Sequence, residues 1–405
     1  MSTNTEPARI LVVDDNEMNR DMLSRRLVRQ GHDVSTAIHG VDALDRLRSE
    51  PFDLVLLDIM MPEMNGFELL ERLKADPRLE HLPVILISAL DDTDSVVRGI
   101  QMGADDHLPK PFNPSILRAR VDACLAKKRL RDRERLYAEA LEREIDIARE
   151  IQAGFLPEAL PDAPGWEIAA RFHPARQVGG DFYDAFAIDG DRIVLVVADV
   201  CDKGVGAALF MALFRSLIRV VAERVLGASG ETGEGRGEAS LEAGDGAAGV
   251  SRVVRSVNDY IARTHSRENM FATVFVGVLA VGSGELTYVN AGHDPPFVLG
   301  PGGIRARLAP TGPAVGLLPG LEFGVGRARL AAGETLVAFT DGVTDARNEE
   351  GDTFSEERLE ALVAGLAGLG LTADELLGRI EEAVAEHAGA GAAFDDVTIL
   401  ATHRL

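Results

Sequence analysis

Four aspartates stand where strand-like runs begin or end. Val178-Gly-Gly-Asp-Phe-Tyr-Asp184 sets Asp181 beside two glycines, and the apolar run from Arg192 delivers Asp199 at its end. Leu336-Val-Ala-Phe-Thr-Asp341 finishes the same way, and Asp395 lies in Phe394-Asp-Asp-Val-Thr-Ile-Leu400. Short apolar runs of this kind predict buried strands. Carboxylates gathered at strand ends, beside glycines that let backbone approach closely, point to a hard divalent cation rather than an acid–base pair.

A second set of chemically capable residues lies nearer the N-terminus. Between Arg9 and about Lys128, apolar runs at Ile10–Val13, Asp33–Thr36, Leu54–Leu57, Val84–Ile87 and His107–Leu108 alternate with amphipathic stretches such as Asn19–Val28 and Phe67–Leu73. That alternation predicts a doubly wound, five-stranded parallel sheet of flavodoxin type, with its site at the carboxyl ends of the strands. Those ends carry Asp14-Asp15, Asp58, Ser88 and Lys110. Taken alone, Asp14-Asp15 also reads as a helix N-cap.

This constellation resembles the receiver domain of bacterial response regulators. The matching residues are Val12-Val-Asp-Asp15, Leu56-Leu-Asp-Ile-Met-Met-Pro-Glu-Met-Asn-Gly66, Ser88-Ala89 and Lys110-Pro-Phe112, and the domain is expected over residues 8–126. The resemblance implies that Asp58 takes a phosphoryl group from a histidine kinase or histidine phosphotransfer protein. It further implies that Asp14, Asp15 and Asp58 hold Mg²⁺, while Ser88 and Lys110 bind the phosphoryl oxygens. The family usually has Tyr or Phe where this chain has His107, so the way phosphorylation reaches the output surface is open. Lys110-Pro111 is a candidate cis peptide, which X-Pro bonds tolerate.

Composition limits the alternatives. A chain of 405 residues, 46% apolar and 26% charged, has room for two or three globular domains. A net charge of -23 argues against nucleic acid and anionic membranes as partners. The N-terminus has no secretory signal, no uncharged stretch is long enough to span a bilayer, and two cysteines make no disulfide framework. A cytoplasmic protein is expected.

Residues 127–154 predict a helical linker that prolongs the last receiver helix. Leu130, Tyr137, Leu141, Ala148 and Ile151 form a narrow apolar stripe within a densely charged helix. The stripe fits a two-stranded coiled coil and hence a homodimer through receiver and linker, although Glu134 and Glu144 near core positions also allow a solvated single helix.

From Phe155 onward strands follow one another through glycine turns, as in Phe271–Val281 and Glu285–His293, the signature of antiparallel hairpins. Helices are expected at Ala207–Leu226, Ser355–Leu369 and Asp374–Ala388. Residues 227–249, rich in Gly, Ala, Glu and Ser, are expected to be a disordered insertion.

Residues 155–405 resemble the metal-dependent type-2C (PPM) serine/threonine phosphatases of the sporulation and general-stress branch. The motifs are Leu156-Pro157, Val178–Asp184, Ala198-Asp-Val-Cys-Asp-Lys-Gly204, Asn290-Ala-Gly-His293, Phe339-Thr-Asp-Gly-Val-Thr-Asp345 and Asp395-Asp-Val-Thr398. The resemblance implies an α/β/β/α sandwich with two Mn²⁺ or Mg²⁺ ions between the sheets. Asp199 would bridge the ions, the Val200 carbonyl would bind one, and Asp181, Asp341 and Asp395 would complete the shells. Such a site activates water for in-line attack on phosphoserine or phosphothreonine, with no covalent enzyme intermediate. Arg176 is a candidate clamp on the substrate phosphate or a solvated arginine, and His293 a candidate general acid or a structural histidine. Asp184, Asp202 and Asp345 read as turn and cap residues. Cys201-Asp202 stand where the family often has Ser-Gly.

Gly179-Gly-Asp-Phe-Tyr183 also resembles the Gly-Gly-Asp-Glu-Phe signature of nucleotide cyclases, but it lacks the glutamate. The expected function is a response regulator whose Asp58 controls a phosphatase acting on an anti-sigma-factor antagonist. A decayed domain acting as a binding adaptor is the alternative, marked in such proteins by loss of metal aspartates.

Overall fold

The structure, a computed structural model, describes residues 7–89, 93–227, 244–389 and 395–405. Two compact units divide between Glu142 and Arg143.

The first unit runs β1 (Arg9–Val13), α1 (Glu17–Arg29), β2 (Asp33–Ala37), α2 (Gly40–Ser49), β3 (Leu54–Asp58), α3 (Gly66–Ala75), β4 (Val84–Ala89), α4 (Thr93–Gln101) and β5 (Asp106–Lys110). The strands pair in parallel in the order β2-β1-β3-β4-β5. Alternate residues of each strand face opposite sides of the sheet. Leu11, Val13, Val55, Leu57, Val84 and Leu86 therefore pack on α2 and α3, while Ile10, Val12, Leu54, Leu56, Ile85 and Ile87 pack on the other side. A sheet covered on both faces explains why its central strands read as unbroken apolar runs. Helix starts follow local chemistry: Asn65 and Glu68 form a capping box that opens α3.

Helix α5 spans Pro114–Ala153. Forty residues at 1.5 Å per residue make it about 60 Å long. Leu117, Val121 and Leu125 near its start are core residues, whereas Leu130, Tyr137, Leu141 and Ile151 of the expected stripe are exposed.

The second unit adds β6 (Trp166–His173), β7 (Phe182–Ala187), β8 (Arg192–Val200), α6 (Val205–Gly227), α7 (Gly244–Thr264), β9 (Ala272–Ala280), β10 (Glu285–Ala291), β11 (Phe297–Gly300), β12 (Gly303–Arg307), β13 (Gly326–Arg329), β14 (Thr335–Phe339), α8 (Glu356–Leu366), α9 (Ala373–Ala388) and β15 (Val397–Arg404). Two antiparallel sheets result, β13-β10-β9-β8-β7 and β12-β11-β14-β15-β6. Leu195, Val197 and Phe275 of the first meet Leu336, Ala338 and Leu400 of the second in the central layer. The outer face of the first sheet is covered by α6 and α7, that of the second by α8 and α9. The α/β/β/α sandwich expected from the sequence is therefore present.

Two expectations need correction. Residues 228–243 of the expected insertion lie outside the described residues, but Gly244–Gly249 open helix α7, which the sequence reading missed. Its glycine- and alanine-rich start hides a stripe of Val250, Val253, Val254, Val257 and Ile261, all buried against the sheet. Asp184 is not a turn or cap residue: it lies within β7 and is buried. Among the described residues, α6 alone is long and apolar enough to cross a bilayer, yet its Ala207, Met211, Phe214, Ile218 and Ala222 are core residues here.

Candidate functional site

In the first unit, parallel pairing brings the carboxyl ends of β1, β3, β4 and β5 to one edge of the sheet. Asp14 and Asp15 leave β1, Asp58 ends β3, Ser88 lies in β4 and Lys110 ends β5. Carboxylate oxygens of Asp14, Asp15 and Asp58 all lie within 4.8 Å of one another. Lys110 Nζ sits 2.9 Å from Asp58 Oδ1 and 3.2 Å from Asp14 Oδ2. Burial pushes the Asp58 pKa up to about 6; Lys110 opposes this by hydrogen bond and charge, while Asp14 and Asp15 add to it. An oxygen-only donor set carrying more negative charge than one lysine balances suits Mg²⁺, which binds through carboxylates and retained waters.

Neighbouring residues fix the geometry around Asp58. Ser88 Oγ is buried and has no hydrogen-bond partner among the described residues. Gly66 packs so tightly that a Cβ would stand 2.3 Å from the Asp58 carbonyl, which accounts for glycine there. Asn16, not Asp14, caps α1, and Asp14 instead accepts from Asn16 N at 2.8 Å. His107 is half-buried with Nδ1 3.8 Å from Asp106 Oδ1. The Lys110–Pro111 peptide is cis.

In the second unit, carboxylates arrive from both sheets. Asp181 precedes β7, Asp199 is the penultimate residue of β8, Asp341 follows β14 and Asp395 precedes β15. Burial, then the charge of Asp199, raises the pKa of Asp181 well above the usual carboxylate range. Burial also raises Asp199, which is hydrogen-bonded to Asp181 and feels Asp395. Asp341 is pushed up to about 7 by burial and then by Asp199 and Asp395. Such mutually repelling, half- to fully buried carboxylates are the state that a divalent cation relieves. Their oxygens do not all converge within one ion's reach, and Lys203 Nζ holds Asp395 Oδ2 at 2.8 Å. Carboxylate oxygens of this kind suit hard divalent cations.

Backbone and neighbours fix this arrangement. A Cβ on Gly180 would lie 2.7 Å from the Val200 carbonyl oxygen, and one on Gly179 would meet the Asp396 carboxylate at 2.3 Å. Asp396 accepts from Gly180 N at 2.6 Å and Ala175 N at 2.7 Å, so it braces the loop that carries Asp181. Thr340 and Thr398 hydroxyls both donate to Asp181 Oδ2, at 2.6 and 2.9 Å. Asp294 contributes a further charge near Asp199 and Asp341. Asp396, Thr340, Thr398 and Asp294 were assigned no role from sequence, although all lie in or beside the quoted motifs.

Other candidates fall into place less centrally. Arg176 is exposed on the loop between β6 and β7, next to the braced Ala175. His293 is buried, its Nδ1 2.8 Å from Thr273 Oγ1 and its backbone N–H bonded to Asn290 Oδ1. Burial lowers its pKa to about 4, so at neutral pH it holds no second proton to donate. Asp202 adopts φ 75° and accepts from Lys203 N, as a turn residue does. Asp184 pairs with Arg219 Nη2 at 2.7 Å and Arg215 Nε at 3.2 Å, tying β7 to α6.

Comparison with known proteins agrees with both halves. Residues 10–122 match the response regulator receiver domain family, and residues 189–405 match the family described as Stage II sporulation protein E (SpoIIE). Protein IcfG of a Synechocystis strain is 44% identical over 273 residues, 64% of this chain and 41% of that protein. Response regulator PleD of Caulobacter vibrioides is 46% identical over 114 residues, 28% of this chain and 25% of that protein. The chain thus spans less than half the length of either relative. The SiaA-PP2C domain of Pseudomonas aeruginosa superposes with a TM-score of 0.52 over 66% of this chain and 98% of that domain, at 20% identity, a likeness of fold.

Proposed function

We propose, from the premise that this chain belongs to the SpoIIE family and carries a response regulator receiver domain, that it is a protein phosphatase governed by phosphorylation of Asp58. The observation that carries the reading is the delivery of Asp181, Asp199, Asp341 and Asp395 from two sheets, with the pKa values of Asp181, Asp199 and Asp341 raised by burial and then by neighbouring carboxylates. In this reading Asp199, Asp181, Asp341, Asp395 and the Val200 carbonyl hold two Mn²⁺ or Mg²⁺ ions. Ions so held polarise phosphoryl oxygens and make water a better nucleophile. Water attacks phosphorus, the ester P–O bond breaks, and the leaving serine or threonine oxygen takes up a proton, giving inorganic phosphate.

The protein's own residues do the positioning. Thr340 and Thr398 fix one oxygen of Asp181, Asp396 braces the preceding glycines, and Arg176, exposed on the loop between β6 and β7, is the candidate clamp on the substrate phosphate. In the receiver, Asp58 accepts the phosphoryl group from a phosphohistidine donor, Asp14 and Asp15 hold Mg²⁺ with it, and Lys110 and Ser88 bind the phosphoryl oxygens. Those contacts exist only after transfer, so they favour a second receiver state by their own free energy. The exposed apolar stripe on α5 supports pairing with a second copy as a coiled coil.

By family resemblance the substrate is a serine- or threonine-phosphorylated anti-sigma-factor antagonist. The test is phosphate release from such a phosphoprotein in Mn²⁺. Wild type is expected to release it, and Asp199→Ala is expected to fall at least 100-fold. Equal release by both would remove the site assignment.

A further inference from the structure

Gln152 occupies the last turn of α5 and is only 5% exposed, although Ile151 and Ala153 beside it are exposed. A buried amide must find partners for both its ends. Gln152 finds them on a single residue: Nε2 donates to the Gly179 carbonyl at 2.6 Å, and Oε1 accepts from Gly179 N at 3.1 Å. The pairing fixes the amide orientation, because the flipped amide would set oxygen against oxygen. Two residues beyond Gly179 stands Asp181, and on the other side of the same loop Asp396 takes Gly180 N at 2.6 Å. The loop that delivers a candidate metal ligand is therefore held between a helix end and a carboxylate.

We infer that Gln152 is a positioning residue for the candidate metal centre, through which the last turn of α5 sets the place of Asp181. This rests on the metal-centre reading above. No side chain of Gly179 could take over the role, since a Cβ there would strike Asp396. Any rotation of the helix end that withdraws Gln152 leaves a buried N–H and carbonyl unpaired, so loop and helix end move together. Helix α5 begins at Pro114, four residues after Lys110 of the receiver site, and runs without a break to this turn. The helix thus finishes on a two-pronged hydrogen bond.

The test uses the full chain with Asp14→Asn and Asp15→Asn, so that receiver carboxylates do not contribute to Mn²⁺ binding. Calorimetric titration with Mn²⁺ and amide hydrogen exchange of peptides covering 175–184 are compared in this parent and in Gln152→Leu, which keeps the volume and loses both hydrogen bonds. The expected result is at least tenfold weaker Mn²⁺ binding with faster exchange confined to the loop. Binding within twofold of the parent overturns the inference, as does faster exchange with unchanged binding, which would make Gln152 a structural plug. If Gln152→Leu does not fold, Gln152→Glu, which keeps one hydrogen bond, is judged by the same criteria. Asp199→Ala in the same background separates the two failures. Unchanged Mn²⁺ binding there removes the metal centre itself, whereas loss there with retention in Gln152→Leu removes only the role of Gln152.

Discussion

Thr340 Oγ1 donates to Asp181 Oδ2 at 2.6 Å and also accepts from Thr398 N at 3.0 Å, with all three residues buried. One hydroxyl thus joins β14, β15 and the loop before β7, which are the elements that carry three of the four candidate ligands. Thr340→Val keeps the shape and removes both bonds. It is expected to cost about 1–3 kcal/mol, the range for a buried polar group left unpaired, and to raise the Mn²⁺ concentration needed for half-maximal phosphatase activity. Thermal unfolding and a Mn²⁺ activation curve check both parts.

Asp184 is the carboxylate between Arg215 and Arg219, and Arg219 also lies 4.3 Å over the Phe186 ring. Asp184→Asn leaves guanidinium charge beside a sheet face without its counter-charge. Removing one partner of a buried ion pair costs about 3 kcal/mol or more. The expected outcome is a lower unfolding temperature for this domain, with the receiver transition unmoved in calorimetry.

His293 sets a pH dependence whose sign is fixed. Burial lowers its folded pKa to about 4 from an ordinary 6.5. The folded state therefore binds fewer protons than the unfolded chain between those values. Its stabilising contribution is complete above pH 6.5 and is lost as pH falls toward 4, amounting to about 3 kcal/mol. His293→Gln is expected to lose stability less steeply than wild type over that window. Denaturation at a series of pH values measures it, and parallel profiles would contradict the burial argument.

Thiol chemistry gives an independent check on packing. Burial pushes the Cys124 thiol up to about 11 and raises Cys201 as well. Iodoacetamide at pH 8 is expected to leave Cys124 unmodified in the folded chain and to alkylate it on denaturation, as read by mass spectrometry.

Much of this arrangement was legible in the amino-acid sequence, for physical reasons. Strands buried on both faces must be apolar throughout, so β1, β3 and β4 announced themselves, and the residues at their ends followed. Aspartates flanked by glycine mark a crowded polar site wherever the chain folds to make one. The supporting residues were harder to see because their function is tertiary. Nothing in Thr340 or Asp396 says which loop each will grip across the sandwich. Gln152 was hidden by the helix around it: the apolar stripe singled out Ile151 as a coiled-coil position, and nothing local marks the glutamine next to it as the buried residue. Helix α7 was missed because Gly244–Gly249 resemble the glycine-rich run before them, and its valine stripe starts only at Val250.

Control of the phosphatase by the receiver is tested most directly by Mn²⁺-dependent hydrolysis of an aryl phosphate, with and without beryllofluoride as a mimic of phosphorylated Asp58. The expected result is activity that changes several-fold with beryllofluoride in wild type, does not change in Asp58→Ala, and vanishes in Asp199→Ala. Activity that ignores beryllofluoride would contradict control through Asp58. No hydrolysis in either state would contradict the phosphatase itself and favour a binding adaptor.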